Sequence, residues 1–179
     1  MVGSMNSDHI QGWMLSVELE WLAEQASKSH IVIEIGIWKG RSTYTICQHC
    51  PGVVFAIDSW NMANSIYLNP PAAKREALEN LREFTDSGKL IILPYRSMDA
   101  MEYLAKVLIE RPADWIFIDG DHDPTTVAME IDRARYMRIP LISGHDRMEV
   151  HEALPNGVLD GPGEIWYYHD QVGGNGRDM

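Results

Sequence analysis

Two short stretches of this chain gather side chains able to hold a cation and move a proton: Asp119-Gly120-Asp121-His122-Asp123 and Gly144-His145-Asp146. Carboxylates and imidazoles are the oxygen and nitrogen donors of divalent-ion sites, and an imidazole beside such an ion is also a general base near neutral pH. Each stretch follows an apolar run, 114–118 and 141–143, and so reads as the loop after a strand. Neighbouring strands lie about 5 Å apart, which lets Asp119 and the His145/Asp146 pair face one cation from two sides. A plainer reading stands beside this one: Asp121 and Asp123 cap the following helix, and His145 is a hydrogen-bonded loop histidine. It is preferred for Asp121 and Asp123, whereas Asp119, His122 and Asp146 are read as functional.

A second grouping lies earlier. Glu34-Ile-Gly36-Ile-Trp-Lys-Gly40-Arg-Ser42 is a glycine turn between an apolar run and a helix. Glycines let backbone approach a ligand, and a helix N-terminus offers unpaired N–H groups to oxygens. A P-loop needs four residues between its glycines and then Lys, but here there are three, followed by Arg41. The dinucleotide spacing G-x-G-x-x-G is broken by Ile35 and Trp38. What remains is E-x-G-x-x-x-G, or a turn serving only strand-to-helix geometry. Asp58 follows Gly40 by 18 residues at the end of the next apolar run, where a carboxylate can accept both hydroxyls of a ribose.

These residues need a scaffold. Apolar, β-branched runs at 30–35, 53–57, 90–93, 114–118 and 141–143 alternate with helical patterns near 41–49, after Pro70-Pro71, 99–109 and 125–137. A further helix precedes them from Ser16, with Val17, Trp21, Leu22 and Ala26 recurring at helical spacing, Glu18, Glu20 and Glu24 facing away, and Ser16 as N-cap. Strands alternating with helices predict an α/β fold, a doubly wound, mostly parallel sheet whose ligands sit outside the strands' carboxyl ends. Segments 157–159 and 164–168 predict short C-terminal strands.

The 179 residues predict one domain over 8–170, with flexible termini at 1–7 and 171–179. A net charge of −11 argues against nucleic acid and anionic membrane as partners. No apolar run is long enough to span a bilayer, no charged leader region is present, and the two cysteines cannot form a disulfide framework. A cytoplasmic location follows as the expectation.

Together Glu34 to Ser42, Asp58, Ser97, 114–122 and Gly144-His145-Asp146 resemble the class I S-adenosylmethionine (SAM)-dependent methyltransferases, whose fold is Rossmann-like. The likeness is to the metal-dependent branch that includes the macrocin and mycinamicin sugar O-methyltransferases and the cephalosporin hydroxylase-like proteins, and it covers roughly 10–168. It implies that Glu34, Gly36, Gly40 and Ser42 shape the SAM methionine pocket, Asp58 holds the ribose, and Ser97 with Met98 borders the adenine, with Asp119 also at the cofactor. It further implies that Asp119, His145 and Asp146 hold a divalent metal, Mg or Mn, and that His122 is the catalytic base beside Asp119. The implied activity is methyl transfer to a hydroxyl of a small-molecule acceptor. A SAM- or metal-binding protein without transferase activity, and an NAD-dependent oxidoreductase, are the alternatives.

The chain departs from that pattern. Position 145 is His where the sugar enzymes carry a carboxylate, and imidazole suits Mn, Fe or Zn better than Mg. Asp123-Pro124 replaces a small polar residue and an aromatic, and Met137-Arg-Ile-Pro140 replaces a Pro-Gly-Gly turn. Asn69-Pro-Pro-Ala72 reads as Asn69 capping a helix with prolines in its first turn, and Cys47 and Cys50 as buried helix residues. Trp60, Tyr67, Trp166 and Tyr167 are candidates for acceptor contact or for the core, and a homo-oligomer is one way to complete so compact a site.

Overall fold

The computed structural model describes residues 7–61 and 69–170. Its strands are β1 (Ile31–Ile35), β2 (Val53–Ile57), β3 (Leu90–Leu93), β4 (Trp115–Ile118), β5 (Leu141–Gly144), β6 (Leu159–Asp160) and β7 (Trp166–His169). They form one sheet in the order β3-β2-β1-β4-β5-β7-β6. β1 to β5 pair in parallel, and β7 runs antiparallel to both β5 and β6. Chain order runs outward from β1 to β3 and then restarts with β4 beside β1. That reversal puts a crevice at the carboxyl ends of β1 and β4.

The helices are α1 (Ser16–Ser27), α2 (Arg41–His49), α3 (Pro70–Asn80), α4 (Arg82–Asp86), α5 (Ser97–Val107), α6 (Pro124–Tyr136) and α7 (Arg147–Val150). They cover both faces of the sheet, which is why the central strands are apolar on both sides. Ile31, Ile33 and Ile35 of β1 pack with Met101 and Leu104 of α5 and Ile131 of α6. Val32 packs on the opposite face with Leu19 and Leu22 of α1, Ile46 of α2 and Ala77 of α3. Glu34 shares that face by strand alternation, so its carboxylate enters an apolar layer. Among the described residues no helix is long and apolar enough to cross a membrane.

Several expectations shift by a residue or two, and α1 shifts in a way that matters. Its buried side carries Leu19, Leu22, Ala23 and Ala26, while Val17 is 51% exposed. Glu18, expected to face away, is 1% exposed. Ser16 is the first helical residue; Leu15 occupies the N-cap, and its N–H is taken by Glu18 Oε2 at 2.6 Å. An acid three residues into a helix can reach back to the cap in this way, so Glu18 caps its own helix from inside the protein. Ser7, placed with the flexible end by its composition, is buried, and Thr45 Oγ1 lies 3.0 Å from its hydroxyl. Asn69 does sit at the N-cap of α3 ahead of Pro70, but at φ +38 and without a side-chain cap bond.

Candidate functional site

Three loops meet at the crevice because the backbone ladder continues past the strands. Gly36 N–H donates to Ile57 O at 2.8 Å, Asp119 N–H to Ile35 O at 2.8 Å, and His145 N–H to Ile118 O at 3.0 Å. Gly36 has φ +94, and a Cβ there would lie 1.9 Å from Asp119 O. Only glycine fits so tight a crossing of the β1 and β4 ends. The close approach Gly36 permits is therefore to the chain itself. Gly40, at φ +92, would press a Cβ against Leu81, so this glycine packs the loop onto α3–α4.

Asp58 stands at the end of β2, as expected, with both oxygens engaged. Oδ2 accepts from Ile37 N–H and Trp38 N–H, each at 2.9 Å, and Oδ1 accepts from Trp60 N–H at 2.7 Å. The carboxylate ties the glycine loop to the β2 loop and keeps lone pairs for a further donor. Glu34 differs. Both of its oxygens are fully buried without a hydrogen-bond partner among the described residues. Burial pushes its carboxyl up to about 7, against the nearby Ser42 and Thr43 hydroxyls, while Asp58 adds to the rise. Above it the N-terminus of α2 follows Gly40 with no side-chain cap. A buried acceptor under open helix N–H groups suits a ligand carrying both an ammonium and a carboxylate.

At the ends of β4 and β5 further ligand groups converge. Asp119, His145 and Asp146 offer ligand atoms all within 4.8 Å of one another. His145 Nδ1 lies 3.2 Å from Asp146 Oδ2 and 3.8 Å from Asp119 Oδ1, and its Nε2 lies 3.1 Å from Glu18 Oε1. Burial alone would lower the imidazole pKa, but the Asp146 hydrogen bond and the charges of Asp119, Asp146 and Glu18 hold it at about 9. Burial raises the Asp119 carboxyl, helped by Asp146 and Glu34 and opposed by His145. Burial would also raise Asp146, yet the hydrogen bond and charge of His145 keep it below the usual range. Asp146 sits at φ +53, a left-handed conformation that a short acidic side chain tolerates.

His122 joins this cluster. Its Nε2 lies 3.1 Å from Asp146 Oδ2 and its Nδ1 lies 3.0 Å from Glu149 Oε2 on α7. The two imidazoles thus meet on one Asp146 oxygen. Asp123 caps α6 by accepting from Thr126 N–H at 2.9 Å, in keeping with its plainer reading, whereas Asp121 accepts from Asp123 N–H at 3.1 Å ahead of the helix and does not cap it. The structure therefore brings Asp119, His122, His145 and Asp146 together, with Glu34, Gly36, Gly40, Ser42 and Asp58 along the adjoining loop. Ser97 and Met98 open α5 after β3, where Ser97 lies by the buried Glu130 of α6.

Glu18 and Glu149 were missed because no local pattern ties them to their histidine partners. Of the two readings of the aromatic candidates, the core holds for Trp60 and Trp166. Trp166 is fully buried and donates from Nε1 to His145 O at 3.0 Å, and buried Trp60 donates to Trp38 O at 2.9 Å. Both hold loops in place. Tyr167 packs beside Trp21, and Tyr67 lies outside the described residues. The exposed aromatic at the glycine loop is Trp13, whose ring lies 4.1 Å from that of Trp38. Cys47 and Cys50 are free and buried.

A family model described as a methyltransferase domain matches residues 33–138. None of the curated proteins matches. Among solved structures, the chain is similar to the O-methyltransferase from Bacillus cereus in complex with SAH, at 15% identity and TM-score 0.63, over 88% of this chain and 83% of that one. It is similar to the O-methyltransferase TomG from Streptomyces achromogenes, involved in tomaymycin synthesis and in complex with SAM, at 17% identity and TM-score 0.60, over 85% and 64%. It is also similar to cofactor-bound Rv0187 from MTB, at 19% identity and TM-score 0.59, over 79% and 62%. At these identities the likeness is one of fold. The chain spans less than two thirds of the length of the last two proteins.

Proposed function

The chain belongs to the methyltransferase-domain family, and from that premise we propose that it is a SAM-dependent O-methyltransferase acting on a hydroxyl of a small molecule beside a divalent cation. The observation that carries the reading is the meeting of His122 Nε2 and His145 Nδ1 on Asp146 Oδ2, at 3.1 and 3.2 Å. It supports a proton acceptor and a set of cation donors at the edge of one crevice.

The residues fit both bound groups. Glu34, with its orphaned oxygens, and the uncapped start of α2 with Ser42 suit an amino-acid end, Asp58 keeps lone pairs for ribose hydroxyls, and Ser97 with Met98 borders the adenine. Asp119, His145 and Asp146 suit a divalent ion, Mg or Mn in class, because their donors converge and the outer ring nitrogen is already held. When bound, SAM supplies a methyl group on a sulfonium sulfur, and the ion supplies the charge that lowers the pKa of an acceptor hydroxyl.

His122 would accept the hydroxyl proton at Nε2, the nitrogen that faces Asp146 in this structure and would have to leave that contact to do so, while Glu149 steadies the ring by accepting from Nδ1. Asp119 spans both halves of the site, and the Gly36 crossing fixes its position. In this reading 8–170 acts as one unit in the cytoplasm, and the charge of −11 disfavours nucleic-acid and anionic membrane partners.

The test is transfer of labelled methyl from SAM to small molecules bearing adjacent hydroxyls. His122→Ala should slow transfer about 10²- to 10⁴-fold with SAM affinity unchanged. Unchanged turnover removes His122 from the base role. Binding of SAM with no transfer to any hydroxyl acceptor would favour a SAM-binding protein without this activity.

A further inference from the structure

Glu18 is a buried acid held by three elements at once. Its Oε2 accepts from Leu15 N–H at 2.6 Å, and its Oε1 accepts from Glu164 N–H at 2.9 Å and faces His145 Nε2 at 3.1 Å. The two backbone donors come from opposite ends of the chain and fix the carboxylate plane. Gly163, at φ +61, makes room for it: a Cβ there would lie 2.1 Å from Glu18 Oε1. A carboxylate can only accept, so the nitrogen facing it carries the hydrogen. The remaining nitrogen, Nδ1, then faces two more carboxylates, Asp146 at 3.2 Å and Asp119 at 3.8 Å. By the same rule Nδ1 carries hydrogen toward Asp146 in the ion-free protein, and a divalent ion held by Asp119 and Asp146 would take the place of that proton.

We propose that Glu18 is a positioning residue that fixes His145 with Nε2 protonated and Nδ1 turned toward Asp119 and Asp146, so that the site prefers a nitrogen-accepting divalent ion, manganese or zinc in class, over magnesium. The inference rests on the divalent-cation part of the proposed function. Nitrogen donors favour such ions because magnesium takes oxygen ligands and retains water. An acid that orients the far nitrogen of a ligating imidazole also raises that ligand's basicity, and its loss typically weakens metal binding about 10- to 100-fold. Trp166 secures the same residue from the backbone side by donating to His145 O, which leaves the ring orientation to Glu18.

The experiment is calorimetric titration of the full chain, without SAM, by manganese, zinc and magnesium chlorides, for the wild type and Glu18→Gln, with circular dichroism as a control for folding. The wild type should bind manganese and zinc at least 10-fold more tightly than magnesium, and Glu18→Gln should lose about 10- to 100-fold of that affinity. If the variant does not fold, nitrogen NMR of the zinc-loaded wild type reads the tautomer directly. There Nε2 should carry hydrogen and Nδ1 should show the shift of a metallated nitrogen. Tight binding that Glu18→Gln leaves unchanged, an equal or greater affinity for magnesium, or a protonated Nδ1 in the zinc form overturns the role of Glu18 and spares the cation site. No binding of any ion by the wild type overturns both.

Discussion

Replacing Gly36 by alanine tests whether the β1–β4 crossing organises the site. The new Cβ would meet Asp119 O at 1.9 Å, its carbonyl carbon at 2.5 Å and Gly120 Cα at 2.9 Å. All three are backbone atoms, and the strand ladder holds them through Asp119 N–H to Ile35 O. No rotamer change can relieve the clash. An L-residue at φ +94 costs about 1–2 kcal/mol, and forcing backbone apart in a packed interior adds about 1–3 kcal/mol. A total of about 2–5 kcal/mol follows, or a fall in melting temperature of about 4–20 °C at 2–4 °C per kcal/mol. Gly88 is the internal control, with φ +74 and nothing within 4 Å of a built Cβ. Gly88→Ala should cost only the conformational part, about 1–2 kcal/mol. Urea unfolding of both variants measures the difference. Equal losses would refute the claim that the crossing is sterically fixed.

Three more outcomes follow from buried polar groups. Ser143→Ala should destabilise by about 1–3 kcal/mol in urea unfolding, because Trp115 Nε1 donates to Ser143 Oγ at 2.7 Å in the core and would lose its acceptor; no loss would mean the indole finds another partner. Glu34 has a raised folded pKa, so its neutral form is the one the fold favours. The advantage is complete below the unfolded value near 4.5 and lost as pH rises through about 7. Glu34→Gln should therefore be more stable than wild type at pH 8, by up to about 3 kcal/mol, and near parity at pH 4 while weakening SAM binding. His145 is also raised, so in chelator-treated protein its contribution is full below about 6.5 and disappears as pH rises through about 9. The stability gap between wild type and His145→Gln should shrink between pH 6 and pH 10, and a constant gap would contradict the ion pairing.

Strands were legible because a parallel sheet covered on both faces writes itself as continuous β-branched runs, as in Ile31–Ile35 and Val53–Ile57. The loop residues Asp119, His122, His145 and Asp146 could be placed together because the topology forces the ends of β4 and β5 side by side. What stayed hidden depends on long-range pairing. Glu18 looks like a surface acid on α1 until the β6–β7 turn and His145, 127 residues away, close over it. Trp60 and Trp166 read equally as acceptor contacts or core, and only the fold decides: each satisfies its indole N–H on a loop carbonyl and lies in the core. Exposure of Trp13, by contrast, depends on how the segment before α1 crosses the glycine loop, which no periodicity records.

The central claim is that this crevice takes SAM, and calorimetric titration of the wild-type chain with SAM, S-adenosylhomocysteine, NAD and ATP tests it most directly. Saturable one-to-one binding of the two adenosyl sulfur compounds alone is the predicted result, with a stabilisation of about 2.7 kcal/mol at 100 times Kd in a parallel melting experiment. Binding of NAD or ATP with neither SAM nor S-adenosylhomocysteine taken up would contradict it.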